Sequence, residues 1–173
     1  MVVTIAKKGT RLIDVGHEDI VLRTFILFVQ TADVVLKYAD ANFYRKTRLS
    51  AVKYKVLQIL TTNGGSMRPS EIAEWTYREP HNITTLVDRL KQDGLVKTTR
   101  NNADKRSISV TLTNKGRKAV ERATPVARAI MNQVMSSITE DDATALEKSL
   151  RVLRQNAHNG LEHFAKRVQP QSD

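Results

Sequence analysis

Two clusters of polar side chains near the middle of the chain have the chemistry to read a base pair. The first is Arg78, His81, Asn82, Thr84 and Thr85. An asparagine amide pairs bidentately with adenine, an arginine or histidine donor reaches the guanine acceptors, and a threonine methyl rests against the methyl of thymine. Arg89, farther along, suits a phosphate oxygen. The second cluster is Asn101-Asn102-Ala103-Asp104-Lys105-Arg106, with adjacent cations at its end and a carboxylate two residues before Arg106. A cation on a narrow hairpin can enter the minor groove, where A·T-rich sequence deepens the negative potential. Asp104 would hold that turn and orient Arg106. Arg68, Lys105, Lys115 and Arg117 are cations suited to phosphate contacts. Taken singly, each cluster also reads as a solvated surface, since polar residues line amphipathic helices and Asn, Asp and Lys populate soluble turns. The two following one another directly is far more specific.

Such residues read DNA only if rigid elements present them. Ile83, Leu86, Val87 and Leu90 recur at helical spacing and turn the first cluster outward. Pro80 suits the first turn of that helix, and Gly94 its C-terminal cap. The preceding helix opens at Pro69, with Ile72, Ala73 and Trp75 as its packing residues, and a short turn near Thr76 to Glu79 joins the pair. Before it, Ser50 caps a helix with the inner face Val52, Val56, Leu57, Ile59 and Leu60, which Asn63-Gly64-Gly65-Ser66 breaks. Leu95 to Arg100 and Arg106 to Leu112 then alternate as the strands of a ribbon, with Ile108, Val110 and Leu112 on one side. Three helices followed by a two-stranded β-ribbon wing is the winged helix-turn-helix plan, in a mainly α chain. Its second paired helix enters the major groove.

Outside this centre, Ile20 to about Arg45 carries Leu22, Phe25, Val29, Ala32, Leu36, Ala39 and Phe43 in alternating steps of three and four. An apolar stripe of that length suits a helix that also meets a second chain. Thr113 caps a fifth helix expected to run to about Ile138 and to bend at Pro125. Thr139-Glu140-Asp141-Asp142 opens a sixth, striped by Leu146, Leu150, Leu153, Ala157, Leu161 and Phe164. The expected organisation is an N-terminal arm and dimerisation helix over 1–48, a DNA-binding domain over 49–116 and C-terminal dimerisation helices over 117–173. The arm is basic through Lys7, Lys8 and Arg11, and the tail from Gln169 reads as frayed.

Composition agrees. The 173 residues carry 28 Lys and Arg against 18 Asp and Glu, a net charge of +10, which favours polyanionic partners. There is no cysteine, so disulfides, thiolate zinc sites and a cysteine redox sensor are excluded. The most apolar stretch, Ile20 to Ala39, is broken by Arg23, Gln30, Asp33 and Lys37, too polar for a membrane span, and a cytoplasmic protein is expected. No phosphate-binding loop, dinucleotide fingerprint or nucleophile–base pair is evident, so neither an enzyme nor a cofactor is expected. His158 and His163 are five apart and share no helix face well, and His17, Glu18 and Asp19 sit on the arm, so no metal site is expected. Phe28, Tyr38, Phe43 and Trp75 read first as core residues and second as the lining of an effector cleft. Lys37, Arg45, Lys46 and Arg48 are equivalent candidates to meet a ligand carboxylate.

The run Leu49 to Gly116 resembles the MarR family of regulators. The resemblance rests on Leu49-Ser50, on Pro-Ser-Glu-Ile-Ala at 69–73, and on Leu-Val-Asp-Arg-Leu-Lys-Gln-Asp-Gly-Leu-Val at 86–96. Most telling is Asp104-Lys105-Arg106-Ser107 followed by Val110-Thr111-Leu112-Thr113-Asn114-Lys115-Gly116. It implies a dimer built from the first and last two helices, two winged domains on the halves of a near-palindromic double-stranded DNA operator, and repression relieved by a small aromatic or anionic effector. It also implies that Arg106 is the wing arginine and Asp104 its partner. The chain departs from the family in having Arg68 and Glu79, not Ser or Thr, before the two helix-starting prolines. The competing readings are a ligand-binding or protein-interaction module that has kept the fold, and a non-specific architectural DNA binder.

Overall fold

The structure, a computed structural model, describes residues 18–100 and 108–168. In chain order the elements are α1 (Ile20–Thr47), α2 (Ala51–Thr62), β1 (Ser66–Met67), α3 (Pro69–Thr76), α4 (Pro80–Gln92), β2 (Val96–Arg100), β3 (Ile108–Leu112), α5 (Asn114–Val134) and α6 (Glu140–Val168). They fall into two units, residues 1–131 and 132–173.

Within the first unit, caps set the helix boundaries. The Asp19 carboxylate accepts from the backbone N–H groups of Val21 and Leu22 (2.8 and 3.2 Å), and Ser50 Oγ accepts from that of Lys53 (3.3 Å). α1 ends on Arg48 in the left-handed region, φ +60°. α2 ends through Gly64 and Gly65, and the Gly65 N–H donates to the carbonyl of Leu60 (2.7 Å).

The expected two-stranded ribbon has a third strand. The sheet order is β1-β3-β2, antiparallel throughout, with Met67 opposite Val110, Val96 opposite Leu112 and Arg100 opposite Ile108. β1 is two residues long, too short to show a period of two in sequence. Its Ser66 hydroxyl bonds those of Ser109 and Thr111 (2.7 and 2.9 Å).

The core lies where α2, α3, α4 and the sheet meet. Leu57, Leu60, Ile72, Ile83, Leu90, Val56 and Val110 are its fully buried side chains. Burying each removes about 1.5–3 kcal/mol worth of apolar surface from water. Phe43 is also buried, stacked on Tyr54 with ring centroids 4.6 Å apart.

Four expectations are corrected. Trp75 is not a packing residue of α3 but is 56% exposed, and Thr76 is buried in its place. Ile72, Ala73 and Thr76 make one face of the short helix, and Trp75 lies off that face. Phe28 and Tyr38 are exposed as well. Ile108 is exposed although Val110 and Leu112 are buried. α5 stops at Val134, short of Ile138, and a turn follows in which the Ile138 N–H donates to Met135 O (3.0 Å). α5 continues through Pro125 without that residue's N–H.

In the second unit, Thr139 caps α6. Its hydroxyl accepts from the Asp142 N–H (3.2 Å) and donates to the Asp142 carboxylate (2.7 Å). Leu146, Leu150, Leu153, Leu161 and Phe164 are all exposed along it. No helix among the described residues is long and apolar enough to cross a membrane.

Candidate nucleic-acid interface

α3 and α4 are joined by the three residues Tyr77–Glu79. Tyr77 takes the left-handed conformation, φ +54°, in a position that usually favours glycine. Around it the Arg78 N–H donates to Ala73 O (3.1 Å) and the Tyr77 N–H to Glu74 O (3.2 Å), the paired bonds of a Schellman motif. This geometry turns the chain sharply and fixes where α4 begins.

Ile83, Leu86, Val87 and Leu90 are buried, so α4 can roll in neither direction. His81, Asn82, Thr84 and Thr85 are exposed on its first two turns, with Arg78 exposed just before them and Arg89 exposed farther along. The Thr84 hydroxyl donates to Pro80 O (3.1 Å) and that of Thr85 to His81 O (3.2 Å). Each hydroxyl hydrogen is thus committed to its own helix. What remains for a partner is an acceptor oxygen and a methyl group, suited to an exocyclic amine or a thymine methyl.

The caps before the two prolines are made differently from a Ser or Thr cap. The Arg68 side chain has no acceptor to offer α3, and it is the Glu71 carboxylate that accepts from the Arg68 N–H (2.7 Å) and from its guanidinium (2.9 and 3.1 Å). These bonds hold the Glu71 carboxyl below the usual glutamate range, the Arg68 backbone bond first and its side chain second. Glu79 makes no side-chain cap at all to α4, and Pro80 occupies the first turn.

The other expected cations are scattered. Arg68 is exposed but ion-paired with Glu71. The Arg117 guanidinium lies against Gly65, where Nη2 would stand 2.9 Å from an added Cβ. Lys115 Nζ donates to Asp93 O (2.7 Å), at the opposite end of α4 from His81 and Asn82. A helix of 13 residues puts about 18 Å between those ends. Asp104, Lys105 and Arg106 lie outside the described residues.

One cation that sequence patterning did not single out is Lys55, on α2. Its pKa is lowered, by burial first and by the positive charge of Arg78 second. The fold therefore brings Lys55 and Arg78 near one another although 23 positions separate them in sequence. No local spacing signals such a pair.

A hollow of about 380 Å³ opens between the start of α3, the outer face of α4 and the sheet, lined by Pro69, Thr84, Val87, Lys91, Thr98 and Ile108, among others. None of Trp75, Phe28, Tyr38 and Phe43 lines it.

The MarR family matches residues 49–108. Over 112 residues the chain is 33% identical to the transcriptional repressor IacR of Pseudomonas putida, which is 65% of this chain and 66% of that protein. Over 78 residues it is 37% identical to the repressor MdtR of Bacillus subtilis, which is 45% of this chain and 50% of that protein. The chain thus spans about two thirds and half of the lengths of these relatives. In fold it is similar to a MarR family regulator of Streptomyces coelicolor solved in complex with DNA, at a TM-score of 0.74 and 20% identity, covering 83% of this chain and 92% of that one.

Proposed function

We propose that this chain, which belongs to the MarR family, is a transcriptional regulator that represses by occupying a near-palindromic promoter operator as a homodimer. The observation that carries the proposal is the exposed start of α4. His81, Asn82, Thr84 and Thr85 stand outward on a helix locked by four buried side chains. That is the arrangement a major-groove reader needs. Arg78, His81, Asn82, Thr84 and Thr85 supply readout, while Arg89, Arg68 and Arg117 supply phosphate contacts; Lys115, whose amine is turned to Asp93 O at the far end of α4, is not among them. Lys55 joins them: two neighbouring cations are relieved of mutual repulsion when a phosphate lies between Lys55 and Arg78. Arg106 enters the minor groove, oriented by Asp104, and Lys105 meets the backbone beside it.

Dimerisation falls to residues 1–48 and 117–173, and reading to 49–116. Its support is the amount of apolar surface left open on the outer helices. Leu22, Phe25 and Val29 on α1, and Leu146, Leu150, Leu153 and Phe164 on α6, are exposed in a single chain. Large exposed apolar stripes mark interaction sites. A small effector that binds one spacing of the two reading helices better than the other then shifts the population and releases the operator.

The test is selection from random duplex DNA at near-physiological salt with the full-length protein. Enrichment of one near-palindrome with half-sites about one helical turn apart supports a dimeric sequence reader. Equal recovery of all sequences, or of none, overturns the proposal.

A further inference from the structure

Among the described residues, two other than glycine take a left-handed backbone, Arg48 and Tyr77. A bulky side chain is strained there, because its Cβ crowds the neighbouring carbonyl, and a glycine or asparagine would make the same turn with little strain. Such a conformation persists where the surroundings hold it and where the side chain serves a purpose. For Arg48 a purpose is visible nearby: its guanidinium lies over the Tyr44 ring, 5.5 Å from the centroid. For Tyr77 the purpose is not burial. The residue is 63% exposed, and the turn is already fixed by backbone bonds from its own N–H and that of Arg78 to Ala73 O and Glu74 O. Those bonds ask nothing of a tyrosine ring.

Position supplies the reason. Tyr77 stands three residues before Pro80, where α4 begins, and four before His81. Four residues span at most about 14 Å, little more than the width of the major groove, about 12 Å. In a helix-turn-helix the first helix crosses the DNA backbone while the start of the second lies among the base edges. The residues between them therefore stand at the wall of the groove, and that wall is phosphate and deoxyribose. A phenol suits it, since the hydroxyl can donate to a phosphate oxygen while the ring lies against the sugar.

Charge alone does not secure this corner. Lys55 and Arg78 bring two cations to it, but the exposed carboxylates of Glu74 and Glu79 flank the turn in sequence and offset them. A neutral donor holds a phosphate there without adding to the repulsion between Lys55 and Arg78.

We propose that Tyr77 is an operator-contact residue, its hydroxyl donating to a phosphate oxygen beside the groove that α4 enters and its ring lying against the adjoining deoxyribose, and that the left-handed strain of the α3–α4 turn is kept for this contact. The proposal rests on the DNA-reading function proposed above. Its role is position and not sequence. A phosphate is the same beside every base pair, so the contact fixes how far α4 slides along the groove. Stability and DNA binding then pull in opposite directions at this residue, which a residue kept for the fold would not show.

The test uses the full-length protein and the duplex enriched by the selection described above. Tyr77→Gly relieves the strain and removes the contact, whereas Tyr77→Phe keeps strain and ring and removes only the hydroxyl. At one fixed protein concentration, Tyr77→Gly should raise the thermal denaturation midpoint by about 2 °C or more, and Tyr77→Phe should leave it unchanged. In fluorescence-anisotropy titrations both should weaken operator binding about tenfold, by the same factor on single-base variants of the operator. The dependence of log affinity on log salt should not move, because a hydroxyl neutralises no phosphate. Native affinity in Tyr77→Phe overturns the phosphate contact, and a lowered midpoint in Tyr77→Gly overturns the claim that the strain is kept for DNA. A changed base preference would show that Tyr77 reads bases, and a changed salt slope that it acts by placing Arg78; either overturns the assignment to the backbone. If the native chain enriches no duplex, the reading function fails and the contact with it. If the native chain and Tyr77→Phe hold the operator equally well, the contact alone fails.

Discussion

Replacing each of three glycines by alanine tests how the sheet is seated on the helices, and the expected costs differ for stated reasons. Gly64 has φ +76° and open space around it, so Gly64→Ala meets only the left-handed penalty, about 1 kcal/mol. Gly65 has φ +86°, and an added Cβ would stand 2.9 Å from Arg117 Nη2. A guanidinium at the end of a flexible side chain can swing away, so Gly65→Ala should cost only slightly more, about 1–2 kcal/mol. Gly116 is the contrary case. It lies in the first turn of α5 with no positive φ, where alanine would ordinarily gain about 1 kcal/mol in helix propensity. Yet its Cβ would stand 2.1 Å from Leu95 O and 2.8 Å from Leu112 Cδ1. That carbonyl cannot turn aside, because it accepts from the Thr113 N–H (3.1 Å) and belongs to the residue that leads into β2. The helix must withdraw by about 1 Å, and a rigid overlap of this kind costs about 3 kcal/mol or more. Urea denaturation of the three variants at one fixed protein concentration reads the order directly, the fixed concentration being needed wherever a chain self-associates. If Gly116→Ala were no less stable than Gly64→Ala, the close seating of α5 on the start of β2 would be refuted.

Lys55→Ala should weaken DNA binding by a similar factor on all sequences and reduce the dependence of log affinity on log salt by about one unit, whereas Arg78→Ala should in addition relax the sequence preference; a Lys55 variant that changed sequence preference with an unchanged salt slope would show that its cation reads bases. Glu71→Gln should lower stability at neutral pH. The folded-state pKa of Glu71 lies below its unfolded value, so its contribution is present above about pH 4.3 and is lost as pH falls through the folded value. The native and variant denaturation midpoints should therefore converge in acid, and a gap of constant size would argue against the cap. Trp75→Ala should cost less than about 1 kcal/mol, against about 3–5 for a buried tryptophan, and thermal denaturation separates the two.

Sequence periodicity located what depends on repeated local pattern. The buried face of α4 stood out because four apolar residues recur within eight positions, and burial of all four bears this out. The same reasoning failed where the repeat was too short. α3 has 8 residues, barely two turns, and hydrophobicity alone put Trp75 inward when its angular position puts it outward. β1 has only Ser66 and Met67, and it exists because β3 offers them a free edge, a fact set by folding and not by those two residues. Lys115 looked like one more cation after a basic wing. Its amine is drawn to the carbonyl of Asp93, 22 residues away, and nothing near it in sequence announces that partner. Lys55 was invisible for the same reason, since its significance comes from Arg78.

The two ends of α4 are secured unequally, and the inequality suits a helix that reads from its start. At the C-terminal end, the Leu95 and Gly94 N–H groups bond Leu90 O and Lys91 O (each 2.9 Å), Lys115 covers Asp93 O and the Thr113 hydroxyl donates to Gly94 O (2.8 Å). At the N-terminal end, Glu79 supplies no side-chain cap. A Ser or Thr there would contribute about 1 kcal/mol. Its absence is affordable because Ile83, Leu86, Val87 and Leu90 together bury apolar surface worth roughly 6–12 kcal/mol. Pro80 has no N–H and the Asn82 N–H donates to Glu79 O (3.0 Å), so a side-chain cap would compete for the His81 N–H, the first-turn donor well placed to meet a phosphate. Glu79→Ser should accordingly raise thermal stability while weakening DNA binding. A variant that gained stability with undiminished DNA affinity would show that the helix start takes no part in holding the backbone.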